Sequence, residues 1–165
     1  MQLIHWHNML LALGVLMNVP AAIGMGLNLS GNLIVTPPEC ILNNSQQQAV
    51  HFSDILLTRI DGVNYQRPLT LNLSCPQLVK NAIKLTIVGN VVNMNSRVFL
   101  STSNNKLGVT FYVNDVNQPI NQAFNVNYTA LPTIKAAPVK NATANYNNTD
   151  GGAFTALATL KVDYQ

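Results

Sequence analysis

Charge is scarce in this sequence. Asp, Glu, Lys and Arg make up 9% of its 165 residues, against roughly 25% in an average globular domain. The nine basic residues, Arg59, Arg67, Lys80, Lys84, Arg97, Lys106, Lys135, Lys140 and Lys161, are scattered. They form no basic stripe, which excludes a nucleic-acid interface of the usual electrostatic kind. The six acids, Glu39, Asp54, Asp61, Asp115, Asp150 and Asp163, also stand singly. No two of them suggest acid–base work at a shared site. Histidine is nearly absent: after residue 26 only His51 remains. A lone histidine in a strand-like run reads as a sheet-face or packed residue. There is no nucleophile elbow, no His-rich tract and no paired Cys spacing, so neither enzyme nor metal site nor cofactor is expected. Gly24-x-Gly26 with Gly31 lacks the following helix and Lys of a phosphate loop and is rejected. The triplets Asn28 to Ser30 and Asn147 to Thr149 fit glycosylation acceptors, but they arise by chance in an Asn-rich chain.

What the chain does have is aliphatic residues and uncharged polarity: 48% hydrophobic side chains, with Asn, Thr and Ser supplying the rest. Such a chain has enough to bury and is not disordered. Its length suggests one domain. The beginning is the apolar extreme. Met9 to Ile23 is mostly Leu, Met, Val and Ala, too short for a comfortable membrane span of about 20 residues. It fits the apolar core of a secretory signal peptide covering residues 1–24, with cleavage after Gly24 or Gly26. The flanking segment has His5 and His7 but neither Lys nor Arg, an atypical feature; an uncleaved anchor or a buried helix is the alternative. No membrane span is expected after processing. Two cysteines, Cys40 and Cys75, in an exported chain suggest one disulfide. Closing that loop would add about 3–4 kcal/mol in the chain-entropy model. Two free buried thiols are the alternative.

After residue 26 the dominant period is two, the signature of half-buried strands. Strands are expected at Leu27–Val35, Ala49–Ile55, Leu69–Cys75, Ala82–Val88, Val98–Ser101, Leu107–Val113, Phe124–Ala130 and Phe154–Tyr164. In the last, Phe154, Ala156, Ala158, Leu160, Val162 and Tyr164 fall on one side. Turn signals separate the strands: Pro37-Pro38, Asn43-Asn44-Ser45, Asp61-Gly62, Gly89-Asn90, Asn104-Asn105, Asn117 to Pro119 and Asn147 to Gly152. Leu131 to Asp150 carries two prolines and reads as a loop or irregular edge. Many short strands with regular turns argue for an all-β sandwich or barrel. There is no internal repeat.

The order of these features resembles the pilin subunits of the chaperone–usher pathway, which build adhesive fimbriae on Gram-negative bacteria. An alternating N-terminal segment with a central Gly31 precedes Cys40; Cys75 follows in LTLNLSC; AIKLTIVG and LGVTFYV come next; and GGAFTALATLKVDYQ ends the chain. GNLIVTPPEC and the cysteine pattern are most similar to the minor tip and adaptor subunits of P-type pili. The resemblance implies an incomplete immunoglobulin-like sandwich lacking its last strand. It implies a donor-strand extension at residues 25–38 and a pilin domain at residues 39–165. Leu27, Leu29, Gly31, Leu33 and Val35 would enter a neighbour's groove. Burying the four apolar side chains would contribute about 6–12 kcal/mol gross. Gly152, Phe154, Ala156, Ala158, Leu160, Val162, Tyr164 and Gln165 would form the acceptor groove and chaperone-binding strand. The implied partners are a periplasmic chaperone, whose basic residues hold the carboxylate of Gln165, an outer-membrane usher, and neighbouring subunits. The expected place is the cell-surface fimbrium, reached through the periplasm. Two alternatives stand beside a polymerising adaptor: a fibre-terminating subunit, and a secreted, complete β-sandwich that binds a ligand or glycan.

Overall fold

The computed structural model describes residues 30, 32, 39–76, 78, 82–147 and 149–164. The expected signal peptide, the donor residues Leu27, Leu29, Gly31, Leu33 and Val35, the Pro37-Pro38 turn, and Gln165 lie outside them. The chain divides into two units, Met1–Val35 and Thr36–Gln165, and the described strands belong to the second. They are β1 (Ile41–Leu42), β2 (Arg67–Leu69), β3 (Leu73–Ser74), β4 (Ala82–Gly89), β5 (Val91–Met94), β6 (Arg97–Ser101), β7 (Leu107–Val113), β8 (Val116–Gln118), β9 (Ala123–Asn127), β10 (Ile134–Lys140) and β11 (Ala158–Tyr164). Two single-turn 3-10 helices, Asn43–Ser45 and Leu57–Arg59, complete the described regular structure.

Every strand pairing is antiparallel. One sheet runs β2-β10-β7-β6-β5, with β8 also on β7; a second runs β11-β4-β9; β1 and β3 form a short ladder of their own. The two larger sheets face each other. Leu100, Val109, Phe111, Ile134 and Ala136 of the first pack with Ile87 of the second in one buried cluster. Ile83, Leu85 and Val126 form the adjoining cluster. The alternation in β4 explains this: Ile83 and Leu85 are 0% exposed, while Lys84 and Val88, one residue out of phase, face solvent. A sandwich core needs that phase from both inner faces.

Asparagine makes the tight turns. Among the described residues ten non-Gly residues have positive φ, and six are Asn or Asp; their short polar side chains tolerate the left-handed region best. Asn95-Ser96 (φ 52° and 59°) joins β5 to β6, and Asn114-Asp115 (φ 49° and 65°) joins β7 to β8. Positive φ at both central residues is the geometry of the type I′ hairpin, which matches strand twist. β5 and β8 were not anticipated from the sequence because neither turn carries a glycine, and β8 takes Asn117 and Gln118 out of the stretch expected to be a turn.

Three expectations need correction. Leu131–Asp150 is not a loop or an edge throughout: β10 lies inside it, between β2 and β7. Ile134 and Ala136 face the core cluster, and Val139 packs with Met94 and Phe99 on the opposite face. A strand buried on both faces loses its alternation. Pro138 is tolerated because β2 ends at the partner of Ala136, and the Pro138 carbonyl accepts from the Gly62 N–H on that vacated side. The missing N–H therefore costs no ladder bond. Second, Ala49–Ile55 is no strand. Ser53 has φ 57°, and the break turns Phe52 inward to stack on Phe154, centroids 6.0 Å apart. His51 is exposed there, its carbonyl accepting from the Arg67 Nε–H. Third, Leu69–Cys75 is not one paired strand. Its alternation persists, with Leu69, Leu71 and Leu73 partly buried between exposed neighbours, but the ladder is interrupted over Thr70–Asn72.

Cys40 and Cys75 are joined in a disulfide. It sits one step beyond the pairs Ile41↔Ser74 and Leu42↔Leu73, so the covalent bond extends the β1–β3 ladder by a rung.

Candidate functional site: the groove beside the terminal strand

β11 is an edge strand. Its partner along one side is β4, through seven pairs from Ala158↔Gly89 to Tyr164↔Ile83. Among the described residues no strand is laddered to its other side. Along β11, Ala158, Leu160, Val162 and Tyr164 turn toward the core clusters yet are only partly buried. Leu160 touches both clusters. Beside Ala158 and Leu160 lies an open cavity of about 470 Å³. Leu157 to Leu160 form one wall; Leu42, Asn43, Gln46 to Gln48 and Leu69 to Leu71 form the other; Ile87, Phe111 and Ile134 form the floor. Both sheets' buried residues thus reach an opening at the sandwich edge. A closed core does not leave such residues lining a cavity of this size, and an apolar groove beside an open strand edge is a place for another strand.

The sequence-predicted wall residues fall into three groups. Ala158 and Leu160 line the cavity, and Val162 and Tyr164 continue the same face over Ile83, Leu85 and Val126. Gly152, Phe154 and Ala156 precede the strand, which begins at Ala158 rather than Phe154. The reason lies in the run-up. Thr155 has both main-chain groups taken by the β6–β7 loop: its carbonyl accepts from the Ser103 N–H at 2.8 Å and its N–H donates to Ser103 Oγ at 2.9 Å. β4 also ends at Gly89, opposite Ala158. Gly152, with φ 133°, sits at an exposed bend that an L side chain would enter only with strain. Gln165 falls outside the described residues.

The run-up is pinned a second time. Lys106 Nζ donates to Asp150 Oδ1 at 2.7 Å and to the Asn145 carbonyl at 2.8 Å, and lies 5.6 Å from the centroid of the Tyr146 ring. The Lys106 ammonium, and after it the Asn147 N–H at 2.6 Å, hold the Asp150 carboxyl below its usual range. Burial raises the Tyr146 hydroxyl, whose one proton is shared between the Lys106 and Asn141 carbonyls. Three further acids have local partners. Asp115 pairs with Lys135 and Asp163 with Lys161. Asp61 accepts from the N–H groups of Asn64 and Val63, which lower its carboxyl. Among the described residues there is no cluster of three His, Cys, Asp or Glu able to hold a metal.

The opposite wall was not read from the sequence as part of a site. Asn43-Asn44-Ser45 was legible only as a turn, and Gln46 to Gln48 carried no signal at all. Their role is visible only once the disulfide and β1–β3 bring residues 42–48 alongside residues 69–71.

The fimbrial protein family model matches residues 27–165. The chain belongs to that family. It is a fimbrial subunit of the chaperone–usher kind, with the immunoglobulin-like sandwich of the pilins. Two fimbrial-like proteins of Escherichia coli K12 are similar in sequence. YfcR is 30% identical over 141 residues, covering 81% of this chain and 77% of that protein. YfcQ is 25% identical over 138 residues, covering 80% and 83%. Among solved structures, the P pilus adaptor subunit PapF superposes with a TM-score of 0.57 at 22% identity, covering 81% of this chain and 100% of that one. The P pilus rod subunit PapA gives 0.60 at 19%, covering 84% and 99%. At these identities the structural likeness is one of fold. The family comprises structural subunits rather than enzymes, and membership places the fimbrial subunit in surface pili of Gram-negative bacteria. No helix among the described residues is long and apolar enough to cross a membrane.

Proposed function

We propose that this fimbrial subunit is a minor or adaptor subunit that polymerises by donor-strand complementation. The observation that carries the reading is the open cavity between Leu157–Leu160 and the 42–48 and 69–71 wall, floored by core residues and lying beside the outer side of β11. In this reading residues 1–24 are a signal peptide, residues 25–38 the donor extension and residues 39–165 the pilin domain. A periplasmic chaperone lends a strand to the groove and holds the C-terminal carboxylate of Gln165. At the outer-membrane usher, the extension of the next subunit replaces it, with Leu27, Leu29, Leu33 and Val35 turned into the groove and Gly31 where it is shallow. Head-to-tail repetition of such a contact gives an open fibre. Gly152 to Gln165 supplies the acceptor strand and its run-up.

The accessibility of the cavity favours a polymerising subunit over a fibre terminator, whose groove accepts no further strand. The test is incorporation. Leu29→Asp or Leu33→Asp should leave chaperone capture intact and remove the subunit from assembled fibres, because a carboxylate carried into an apolar groove costs several kcal/mol. Fibres containing either variant at the normal level would contradict the donor role.

A further inference from the structure

The wall facing β11 has an unusual support. Thr70, Leu71 and Asn72 lie in the gap between β2 and β3, where no strand among the described residues is laddered to them. Their main-chain groups are nonetheless engaged. The Asn43 N–H donates to the Asn72 carbonyl at 2.7 Å. Asn43 Nδ2 donates to the Thr70 carbonyl at 2.9 Å, and Asn43 Oδ1 accepts from the Asn72 N–H at 2.7 Å. The Thr70 N–H goes to Gln48 Oε1 at 3.1 Å. One side-chain amide thus offers a donor and an acceptor to residues on either side of Leu71, as a peptide group of a neighbouring strand would. Asn43 has φ 45°, in the left-handed region that Asn tolerates. The disulfide three residues earlier fixes where it stands.

Between these bonded residues, Leu71 points the other way along the period-two chain. It lines the cavity and packs against both core clusters. We propose that Asn43 is a positioning residue for donor-strand capture: its amide stands in for a missing strand and fixes the Leu71 side chain against which an incoming donor packs. The inference rests on the donor-strand reading above. It adds that groove affinity is set by a residue of the far wall whose side chain bonds only main chain.

The test uses the full chain and a fluorescent peptide with the sequence of residues 27–35, and measures the peptide's release rate under excess unlabelled peptide. Asn43→Gly keeps the positive φ and removes the amide. It should release the peptide about tenfold faster, the order expected for two hydrogen bonds. In a Leu71→Ala background the same substitution should change release less than twofold, because nothing remains to be positioned. Asn43→Asp, which keeps the acceptor for the Asn72 N–H and loses the donor to Thr70, should fall between and covers the case in which the glycine variant does not fold. Release from Asn43→Gly and Asn43→Asp at the normal rate would overturn the proposal. So would an equal acceleration with and without Leu71, which would mark Asn43 as a general fold support. A parent chain that captures no peptide would overturn the donor-strand reading itself, and this inference with it.

Discussion

Truncating Leu160 should cost the domain little when its groove is empty and considerably more when the groove is filled. Leu160 lies on β11, touches both core clusters, lines the cavity and is only partly buried. A fully enclosed Leu→Ala loses about 2–5 kcal/mol through transfer and cavity terms. With one side already open, the empty groove should show about 1–2 kcal/mol for Leu160→Ala, since atoms facing a cavity have few contacts to lose. A donor strand linked after Gln165 would enclose the same side chain and bring the cost to about 3 kcal/mol. The difference, about 1–2 kcal/mol, corresponds to roughly 3–8 °C in the midpoint for a domain of this size. Ile83 is the control. It is 0% exposed on the neighbouring strand, so Ile83→Ala should cost about 2–5 kcal/mol whether or not the donor is present. Urea unfolding of the two variants, each with and without the linked donor, measures all four numbers. An equal penalty for Leu160→Ala in both forms would refute the claim that this face awaits a strand.

Other consequences concern the scaffold. Cys75→Ser removes the rung beside β1–β3 and should lower stability by about 3–4 kcal/mol, read as a drop in melting midpoint and in periplasmic yield; an unchanged midpoint would show that the ladder and Asn43 suffice. The Asp150 carboxyl is held below its ordinary value of 3.8, first by Lys106 and then by the Asn147 N–H. Its contribution is therefore present above pH 4 and is lost as the pH falls through the lowered value. Acid unfolding of Asp150→Asn should be correspondingly less steep below pH 4, and a profile identical to the parent's would assign the acid sensitivity elsewhere. Gly108→Ala would put a Cβ 2.8 Å from Met94 Cε and 2.9 Å from Phe99 Cβ. It should cost about 1–3 kcal/mol by overpacking, and a neutral result by thermal melting would mean that the outer face relaxes.

Most parts of the fold that were legible in the sequence are those with one wet face. β4 and β9 announce themselves through Ile83-Leu85-Ile87 and Phe124-Val126, each alternating with polar neighbours. β11 does so from Ala158 on. β7, buried on both faces from Leu107 to Phe111, was legible because Gly108 and Thr110 break up its large apolar residues. β10 was hidden by the opposite circumstance: Ala136, Ala137, Pro138 and Val139 are all buried, so no period survives, and a proline in a run usually marks an edge. Phe154 to Leu157 misled for a different reason. Their alternation is real, but whether a phased segment joins a ladder depends on a partner, and Ser103 takes the main chain of Thr155 first. Half of the candidate groove could be read as a phased strand. The other half is built by tertiary contacts of Asn43, which carries only a turn signal in one dimension, and of the Gln46–Gln48 stretch, which carries none.

The central claim is that the sandwich is one strand short. The most direct measurement is the thermal midpoint of the chain from residue 36 onward, without chaperone, compared with the same chain carrying residues 27–35 linked after Gln165. The account predicts a large rise in the midpoint, or folding in the linked form alone. A stable domain whose midpoint is unchanged by the added strand would contradict it and would make this a complete sandwich.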